Sequence, residues 1–172
     1  MENFSSINVK KLKENLFHLL DDKWMLITAG SKNNFNMMTA SWGAFGILWN
    51  KPIAIVFIRH NRYTLNFIEE NDLFSLSFFP GKYREILKLY GTKSGKEIDK
   101  MNTPGLTPIF TENNGIYYEE ANLVFICDKI YFSDITNEIP MAIKKQYYPD
   151  NIFHKMFIGK IKSCLKKTEE IR

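Results

Sequence analysis

The chain has 172 residues, enough for one domain with a full hydrophobic core, and its hydrophobic content of 45% excludes an intrinsically disordered protein. A net charge of +4, from 23 basic and 19 acidic residues dispersed along the chain, argues against nucleic-acid binding. The longest apolar run, Ile53 to Ile58, is too short to cross a membrane and no signal peptide is visible, so we expect one cytoplasmic domain over residues 1–172.

The first elements are a helix and two strands. Leucines at positions 12, 16, 19 and 20 recur at helical spacing, which predicts a helix from Val9 to Leu20 and an N-terminal helical extension over residues 1–20. Trp24 to Thr28 is predicted to be a strand that ends in a Gly/Ser/Asn turn. From Asn36 to Trp42, residues that alternate between two faces at a two-residue period predict the second strand.

A loop, a third strand and a short helix are expected next. Gly43 and Gly46 are expected to loosen the backbone after the second strand. Ile53 to Ile58 is apolar without alternation, which predicts a strand buried on both faces. Thr64 is placed to cap a helix from Leu65 to Glu70.

The rest of the chain contributes more strands than helices. Its predicted elements are a strand Leu73 to Phe79, a helix Lys82 to Tyr90 closed by Gly91, a long loop Thr92 to Pro108, a strand region Tyr117 to Phe132 and a last strand Met156 to Leu165. The region Tyr117 to Phe132 is either one strand or two strands around a bend at Asn122. At least six strands with short connections favour an antiparallel barrel over an open parallel sheet.

Two arginines precede the capping threonine of the short helix. Arg59 and Arg62 could bind a phosphate dianion beside the free amides at the helix start, and Thr39 and Ser41 on a neighbouring strand would add hydroxyl groups. The alternative is that both arginines are solvated loop charges and Thr64 is only a cap.

Tryptophan and glycine residues suggest a planar ligand. Trp42 and Trp49 flank a glycine-containing loop that could provide flat apolar walls for a ring, although both could equally be core residues. The stretch Gly91 to Lys100 could touch a phosphate or a ring edge, although a solvated loop explains it as well, and no P-loop motif occurs. Together these features favour flavin mononucleotide (FMN) as the ligand.

Histidines and cysteines give weaker signals. The spacing of His18, His60 and His154 does not suggest a metal site, so no metal is expected. His154, just before the last strand, is a catalytic candidate, although a lone histidine is more often a packing or surface residue. Cys127 and Cys164 are predicted to be buried thiols in a reducing compartment.

Six sequence blocks in one order resemble the flavin reductase-like family with the FMN-binding split barrel, specifically its flavoredoxin-like branch. The likeness covers roughly residues 20 to 165. The blocks are N-x-M-T-A-S-W-G at Asn36 to Gly43, W-x-K-P at Trp49 to Pro52, V-F-I-R-x-x-R-Y-T at Val56 to Thr64, F-S-L-S-F-F at Phe74 to Phe79, G-T-x-S-G-K-x-x-D-K at Gly91 to Lys100 and H-x-x-F-I-G-x-I at His154 to Ile161.

The resemblance implies a mainly β fold with short helices, an antiparallel and Greek-key-like split β-barrel, and a homodimer with FMN at the subunit interface. Met38, Thr39, Ala40, Ser41 and Trp42 would line the flavin, and Arg59, Arg62, Tyr63 and Thr64 would hold its phosphate side. Ser94, Gly95, Lys96 and Lys100 would approach the cofactor from the same subunit or its partner. His154 matches the H-x4-G motif that related flavin reductases place near the nicotinamide, but Ile152 and Phe153 stand where relatives often carry an aspartate.

Two classes of function follow from the resemblance. The first is an enzyme that passes electrons from NADH or NADPH through FMN to free flavin or another acceptor. The second is an electron carrier whose FMN is reduced by a redox protein partner.

Overall fold

A computed structural model describes residues 3–136 and 138–168 of the chain. The strands in this part of the chain are β1 (Phe4–Ser6), β2 (Met25–Ser31), β3 (Asn34–Ala40), β4 (Gly43–Leu48), β5 (Lys51–Arg59), β6 (Leu73–Phe78), β7 (Pro108–Phe110), β8 (Ile116–Tyr118), β9 (Leu123–Asp134) and β10 (His154–Lys167). The α-helices are α1 (Leu16–His18), α2 (Thr64–Glu70), α3 (Arg84–Thr92) and α4 (Met141–Tyr147). Strand accounts for 42% and helix for 22%, so the predicted mainly β class is confirmed.

Most of the strands form one antiparallel sheet. Its order is β3-β2-β6-β9-β10-β5-β4, and β1 adds to the far end of β10. Strands β7 and β8 form a separate two-stranded hairpin. The two edge strands, β3 and β4, follow each other in the chain, joined by Ser41 and Trp42.

The sheet coils around a single inner core. Ile27 of β2, Val56 of β5, Phe74 of β6, Phe125 of β9 and Phe157 of β10 belong to one packed cluster, and none is more than 2% exposed. Strands from both halves of the sheet reach the same cluster only if the sheet curves into a barrel. The antiparallel barrel expected from the sequence is therefore confirmed.

A second core lies on the outside of the barrel. Leu26 of β2, Met37 of β3 and Val124 of β9 point outward and pack against Leu87 and Tyr90 of α3. Strands β2 and β9 are thus covered on both faces. The helix predicted from Lys82 to Tyr90 is α3, and Tyr83, Ile86, Leu87 and Tyr90 form the apolar stripe that packs here.

Strand β5 was expected to be buried on both faces, and this is wrong for the single chain. Ala54, Val56 and Ile58 point into the barrel and are fully buried, whereas Ile55 and Phe57 on the other face are only half-buried. Phe17 and Leu20 share a shallow hollow with Phe57, and this outer face stays partly exposed. The apolar run in the sequence therefore predicts that both faces of β5 are covered, whereas one chain covers only the inner face fully.

The predicted N-terminal helix from Val9 to Leu20 is also wrong. The segment consists of a 3-10 turn, the short helix α1 and a π-helical turn. Asn15 breaks the pattern, because its side chain accepts hydrogen bonds from the amides of Phe17 and His18 and so starts a new helix. Leu12 and Leu16 still pack against the inner core, which explains the helical spacing of the leucines.

The loop expected around Gly43 and Gly46 is the strand β4, which forms a hairpin with β5. A side chain at Gly43 would lie 2.7 Å from the carbonyl oxygen of Ile55, so glycine there allows close strand approach. Trp49 and Asn50 form the hairpin turn with φ of 48° and 59°. These left-handed conformations are those of a two-residue type I′ turn.

Other boundaries differ less. The region Tyr117 to Phe132 divides into β8 and β9 around Asn122, which is the second of the two arrangements expected. Helix α3 continues through Gly91 and ends at Thr92, so Gly91 does not close it. Cys127 and Cys164 are buried free thiols, as predicted, and burial raises the pKa of each. No helix in the described part of the chain is long and apolar enough to cross a membrane.

Candidate functional site

A cleft of about 600 Å³ lies where the two edges of the sheet separate. Its floor is the end of β3 and the Ser41–Trp42 link, and its walls come from α3, α4, the end of β5 and the start of β10. This volume falls within the range of roughly 300–1,000 Å³ that is usual for small-molecule sites. Eight of the residues predicted from the sequence line it: Met38, Thr39, Ala40, Ser41, Trp42, Arg59, Arg62 and His154.

At the end of β3, the side chains of Met38 and Thr39 are buried, so this strand presents mainly its backbone to the cleft. Met38 and Thr39 are 5% and 8% exposed. The hydroxyl of Thr39 donates a hydrogen bond of 2.6 Å to the carbonyl oxygen of Leu87 and so fastens α3 to the sheet. Ser41 and Trp42 lie beyond the strand, where the ladder with β2 has ended. Thr39 thus positions a wall of the cleft with its hydroxyl.

Arg59 holds the segment that follows α4. Its Nε donates to the carbonyl oxygen of Ile152 at 2.8 Å, and one Nη donates to the carboxylate of Asp150 at 2.6 Å. The same Nη lies 3.3 Å from the carbonyl oxygen of Tyr147. Arg59 was expected to be a phosphate ligand, but much of its hydrogen-bonding capacity organises the chain on one side of the cleft.

Arg62 has fewer hydrogen-bond partners than Arg59. One Nη donates to the carbonyl oxygen of Gly91 at the end of α3, and no carboxylate within the described residues forms an ion pair with it. Burial lowers the pKa of Arg62, and the charge of Arg59 acts in the same direction. The cleft therefore contains a half-buried guanidinium whose charge is not balanced by the described part of the chain.

His154 lies across the cleft entrance from α3. It faces Arg59 in the β5–β10 ladder, and its ring centroid is 4.9 Å from that of Trp42. Its Nδ1 is 3.0 Å from the hydroxyl oxygen of Tyr148. Trp42 also contacts Tyr147 of α4 edge-on at 5.5 Å. These contacts place an imidazole and an indole side by side on the cleft wall.

The imidazole of His154 is neutral at physiological pH. Burial lowers its pKa to about 4, and the positive charges of Arg59, Arg62 and His60 act in the same direction. A neutral imidazole has one N–H donor and one acceptor nitrogen. His154 can therefore hydrogen-bond to a neutral group of a ligand but does not supply a positive charge.

Tyr63 and Thr64 do not line the cleft. Thr64 was predicted to cap α2, and this is wrong: its hydroxyl is 1% exposed and accepts a hydrogen bond of 2.9 Å from Asn36. The amides of Leu65 and Asn66 donate to the carbonyls of the turn before the helix. Two of the amides expected to be free beside the arginines are therefore already bonded.

The loop residues from Ser94 to Lys100 also lie outside the cleft. Ser94 and Glu97 form a capping box, in which the carboxylate of Glu97 accepts from the amide of Ser94 at 2.7 Å and the hydroxyl of Ser94 accepts from the amide of Lys96. Lys96 lies 5.4 Å from the ring of Tyr63. Gly95 packs against Asn36 and Tyr63.

Lys100 has a structural role in this chain. It is 5% exposed, and its Nζ donates hydrogen bonds of 3.0 Å to the carbonyl oxygens of Met37 and Tyr90. It therefore ties the loop to β3 and α3, and the expected approach of Lys100 to a cofactor does not fit this position. The pattern of a loop lysine after glycine does not distinguish an anchor from a ligand.

Several cleft residues were not expected from the sequence. Trp24 has a φ of 64° and stacks 3.0 Å from the guanidinium of Arg84, while Trp49 lies at the exposed β4–β5 turn, away from the cleft. Helix α4 carries no amphipathic signal, because none of its residues is buried. The unexpected lining residues are Trp24, Phe57, Asn61, Leu87, Lys88, Gln146 and Tyr147. Gly91 and Thr92, which also line the cleft, begin the stretch that was expected to touch a phosphate or a ring edge.

Comparison with known families decides where this chain belongs. A model of the flavin reductase like domain matches residues 18–171, nearly the whole length. The chain belongs to the flavin reductase-like family. The resemblance seen in the six sequence blocks is thereby confirmed for this flavin reductase-like protein. No curated protein sequence matches it.

Solved structures share the fold of this flavin reductase-like chain. Flavoredoxin from Methanosarcina acetivorans is 22% identical, with a TM-score of 0.66 over 93% of this chain and 76% of that one. An FMN-binding protein from Thermus thermophilus with bound p-hydroxybenzaldehyde is 18% identical, with a TM-score of 0.67 over 97% and 82%. An FMN-binding domain of a flavin reductase-like enzyme from Shewanella baltica is 17% identical, with a TM-score of 0.69 over 96% and 78%.

Proposed function

We propose that this flavin reductase-like protein binds FMN in the cleft and passes electrons from NADH or NADPH to free flavin or another acceptor. The observation that carries the proposal is Arg62, a half-buried cation on the cleft wall with only a carbonyl partner. A phosphate dianion would complete its hydrogen bonds and balance its charge. The fold shared with FMN-binding proteins supports the same ligand.

The residues of the cleft fit the parts of FMN. Arg62 and the remaining N–H groups of Arg59 would hold the phosphate. The backbone from Met38 to Ser41 and the indole of Trp42 would lie against the ring. When bound, the flavin would supply the capacity to accept and release two electrons. The protein contributes binding, orientation and exclusion of water from the ring.

His154 is the residue proposed to act on the electron donor. Its neutral imidazole lines the cleft beside Trp42 and can donate a hydrogen bond to a nicotinamide carboxamide. Such a bond would orient the nicotinamide without attracting or repelling charge, and orientation alone contributes to rate.

We also propose a homodimer, which the family resemblance implies and which an exposed apolar surface of the barrel supports. The aromatic segment Phe74 to Phe79 needs no cover from a partner, because its aromatic residues are no more than 2% exposed within the single chain. The uncovered surface is instead the outer side of strands β4, β5, β10 and β9. We call this surface the β5 face. It consists of residues that pair across the strands, namely the exposed or half-buried Ala44, Ile55, Phe57, Tyr131 and Met156 around Ile158, which is 8% exposed.

The β5 face suits a second copy of the chain because it is apolar and continuous with the cleft. Phe57 belongs to both, and the half-exposed Trp42 lies next to it. An apolar patch beside a ligand site is a usual feature of a subunit interface. A partner seated there would close the open side of the cleft over the flavin.

An electron carrier reduced by a redox protein is the second candidate. It is favoured by the apolar Ile152 and Phe153 in front of His154, which provide no carboxylate to hold that imidazole. In that case the cleft would still bind FMN, but neither nucleotide would reduce it.

Rapid mixing of FMN-loaded protein with NADH or NADPH tests the proposed function. We expect loss of flavin absorbance with at least one nucleotide, and a slower rate for His154→Ala with FMN still bound. His18→Ala, which removes an exposed histidine on α1, is the control and should match the wild type. Equal rates for wild type and His154→Ala would remove His154 from the reaction. If neither nucleotide reduces the wild type, the protein is an electron carrier.

A further inference from the structure

Tyr148 is a buried tyrosine whose hydroxyl reaches the proposed catalytic histidine. It follows α4 directly and is 5% exposed. Its ring stacks on Phe153 with centroids 4.9 Å apart, and its hydroxyl oxygen is 3.0 Å from Nδ1 of His154. Neither the sequence blocks nor the family comparison assigns a role to this residue.

The hydrogen bond between Tyr148 and His154 could have either residue as its donor, and the single hydroxyl proton of Tyr148 decides between them. The hydroxyl of Tyr148 has one proton, and His154 is its one hydrogen-bond partner within the described residues. If Nδ1 carried the proton and donated it, the hydroxyl proton would be left without an acceptor in a buried place, at a cost of about 1–3 kcal/mol. If the hydroxyl donates to an unprotonated Nδ1, both groups are satisfied.

We propose that Tyr148 is a positioning residue that donates to Nδ1 of His154 and so holds the imidazole as the Nε2–H tautomer. Nε2 lies on the opposite edge of the ring and has no protein partner within the described residues, so it is the nitrogen available to the cleft. The consequence rests on the proposed function: a ligand on this side of the cleft meets a hydrogen-bond donor at Nε2, and the carboxamide oxygen of a nicotinamide is an acceptor that fits it.

The surroundings keep this arrangement fixed. Arg59 fastens the segment that contains Tyr148, through the carbonyls of Tyr147 and Ile152 and the carboxylate of Asp150. Burial and the charges of Arg59, Arg62 and His60 hold the pKa of His154 near 4, so the ring stays neutral above about pH 5. Within the described residues, the one other ionisable group in hydrogen-bond contact with the ring is Tyr148 itself, whose pKa is raised by burial.

Nitrogen NMR of the FMN-loaded protein tests the tautomer directly. The nitrogen shifts of His154 should show a protonated Nε2 and a bare Nδ1 in the wild type. Tyr148→Phe keeps the ring and removes the hydroxyl, so its spectrum should shift toward a mixture of tautomers. Tyr83→Phe, which removes a tyrosine hydroxyl on the 3-10 turn before α3 and outside the cleft, should leave the His154 signals unchanged. A protonated Nδ1 in the wild type, or an unchanged spectrum in Tyr148→Phe, overturns the proposal.

A kinetic comparison adds the functional consequence. Reduction of Tyr148→Phe by NADH or NADPH should be slower by roughly 2- to 10-fold, the effect of one neutral hydrogen bond, with the affinity for FMN unchanged. An equal rate beside a changed tautomer would contradict the positioning role. If neither nucleotide reduces the wild type, the proposed electron donor fails while the nitrogen spectrum still decides the tautomer.

Discussion

At the residue scale, the capacity of the cleft to bind an anion depends on which hydrogen-bond and ion-pair partners its two arginines already have. Arg59 is paired with Asp150 and bonded to two carbonyls, so part of its work is structural. Arg62 has one carbonyl partner and no carboxylate within the described residues. The two residues looked alike in the sequence, as one R-x-x-R pattern, because partners from distant segments cannot be read from local spacing.

Replacing Arg62 by alanine should weaken FMN binding by roughly 10- to 150-fold, the effect of one charge-assisted hydrogen bond. Riboflavin lacks the phosphate, so its affinity should change much less. Fluorescence titration with both ligands measures the difference, and Lys93→Ala, which removes an exposed charge just after α3, is the control. An equal loss for FMN and riboflavin would mean that Arg62 shapes the fold and does not bind phosphate.

Replacing Arg59 by alanine should also weaken FMN binding, within the same range. Because Arg59 anchors the segment after α4, the variant should in addition lose affinity for riboflavin, unlike Arg62→Ala. The same pair of titrations checks this. A purely phosphate-dependent loss would show that the anchoring contacts contribute nothing to the cleft.

Lys100 should make stability depend on pH. Burial lowers its pKa from 10.5 to about 8, with the charge of Arg62 acting the same way and that of Glu97 opposing it. Between these two values the unfolded chain binds a proton that the folded chain does not, so stability rises with pH. Relative to Lys100→Met, the wild type should gain up to about 1.4 kcal/mol of unfolding free energy per pH unit across this window.

Urea unfolding at several points in that pH window measures the gain. Lys93→Met, which changes an exposed lysine, is the control and should show no comparable pH-dependent difference from the wild type. If the difference in unfolding free energy between wild type and Lys100→Met stays constant across this pH window, the buried ammonium keeps its proton throughout and the prediction is wrong.

At the element scale, the cleft walls are helices and loops that individual polar side chains tie to the barrel. Thr39 fastens α3, Arg59 fastens the segment after α4, and Lys100 fastens the loop after α3. The stripe of α3 was predictable, since it is a regular amphipathic pattern. Helix α4 was not, because it buries no residue and has no periodic pattern to detect.

Gly95 should be required for the loop to pack. A side chain there would collide with the amide oxygen of Asn36 and lie 2.9 Å from Cδ1 of Tyr63. Gly95→Ala should therefore lower the unfolding free energy by roughly 1–3 kcal/mol. Thermal or denaturant unfolding checks this against Gly81→Ala, whose added side chain would meet nothing within 4 Å. Equal stability of the two variants would show that the loop adjusts without cost.

At the scale of the whole molecule, the barrel was predictable and its surface was not. Alternation and apolar runs identify strands, but the run at Ile53 to Ile58 could not reveal that the chain leaves one face of β5 partly exposed. Likewise the leucines before residue 20 pack as expected although Asn15 divides their helix. Residues of the β3 end were found because they are adjacent in sequence, whereas the α3 and α4 walls depend on the tertiary fold.

The β5 face should hold two copies of the chain together. Ile55→Glu places a carboxylate at its centre and should weaken a dimer on the order of 100-fold, because a buried unpaired charge is costly. Light scattering of the FMN-loaded protein measures the mass, with Met141→Glu, an exposed apolar residue on α4, as control. A monomeric wild type, or a dimer that Ile55→Glu leaves intact, would exclude this interface.

The central claim is that the cleft binds one FMN per chain through its phosphate. Titration of flavin-free protein with FMN, riboflavin and FAD, followed by tryptophan fluorescence, tests it most directly because Trp24 and Trp42 line the cleft. We expect quenching that saturates at one FMN per chain, with weaker binding of riboflavin and FAD. Failure to take up FMN, or equal affinity for FMN and riboflavin, would contradict the account.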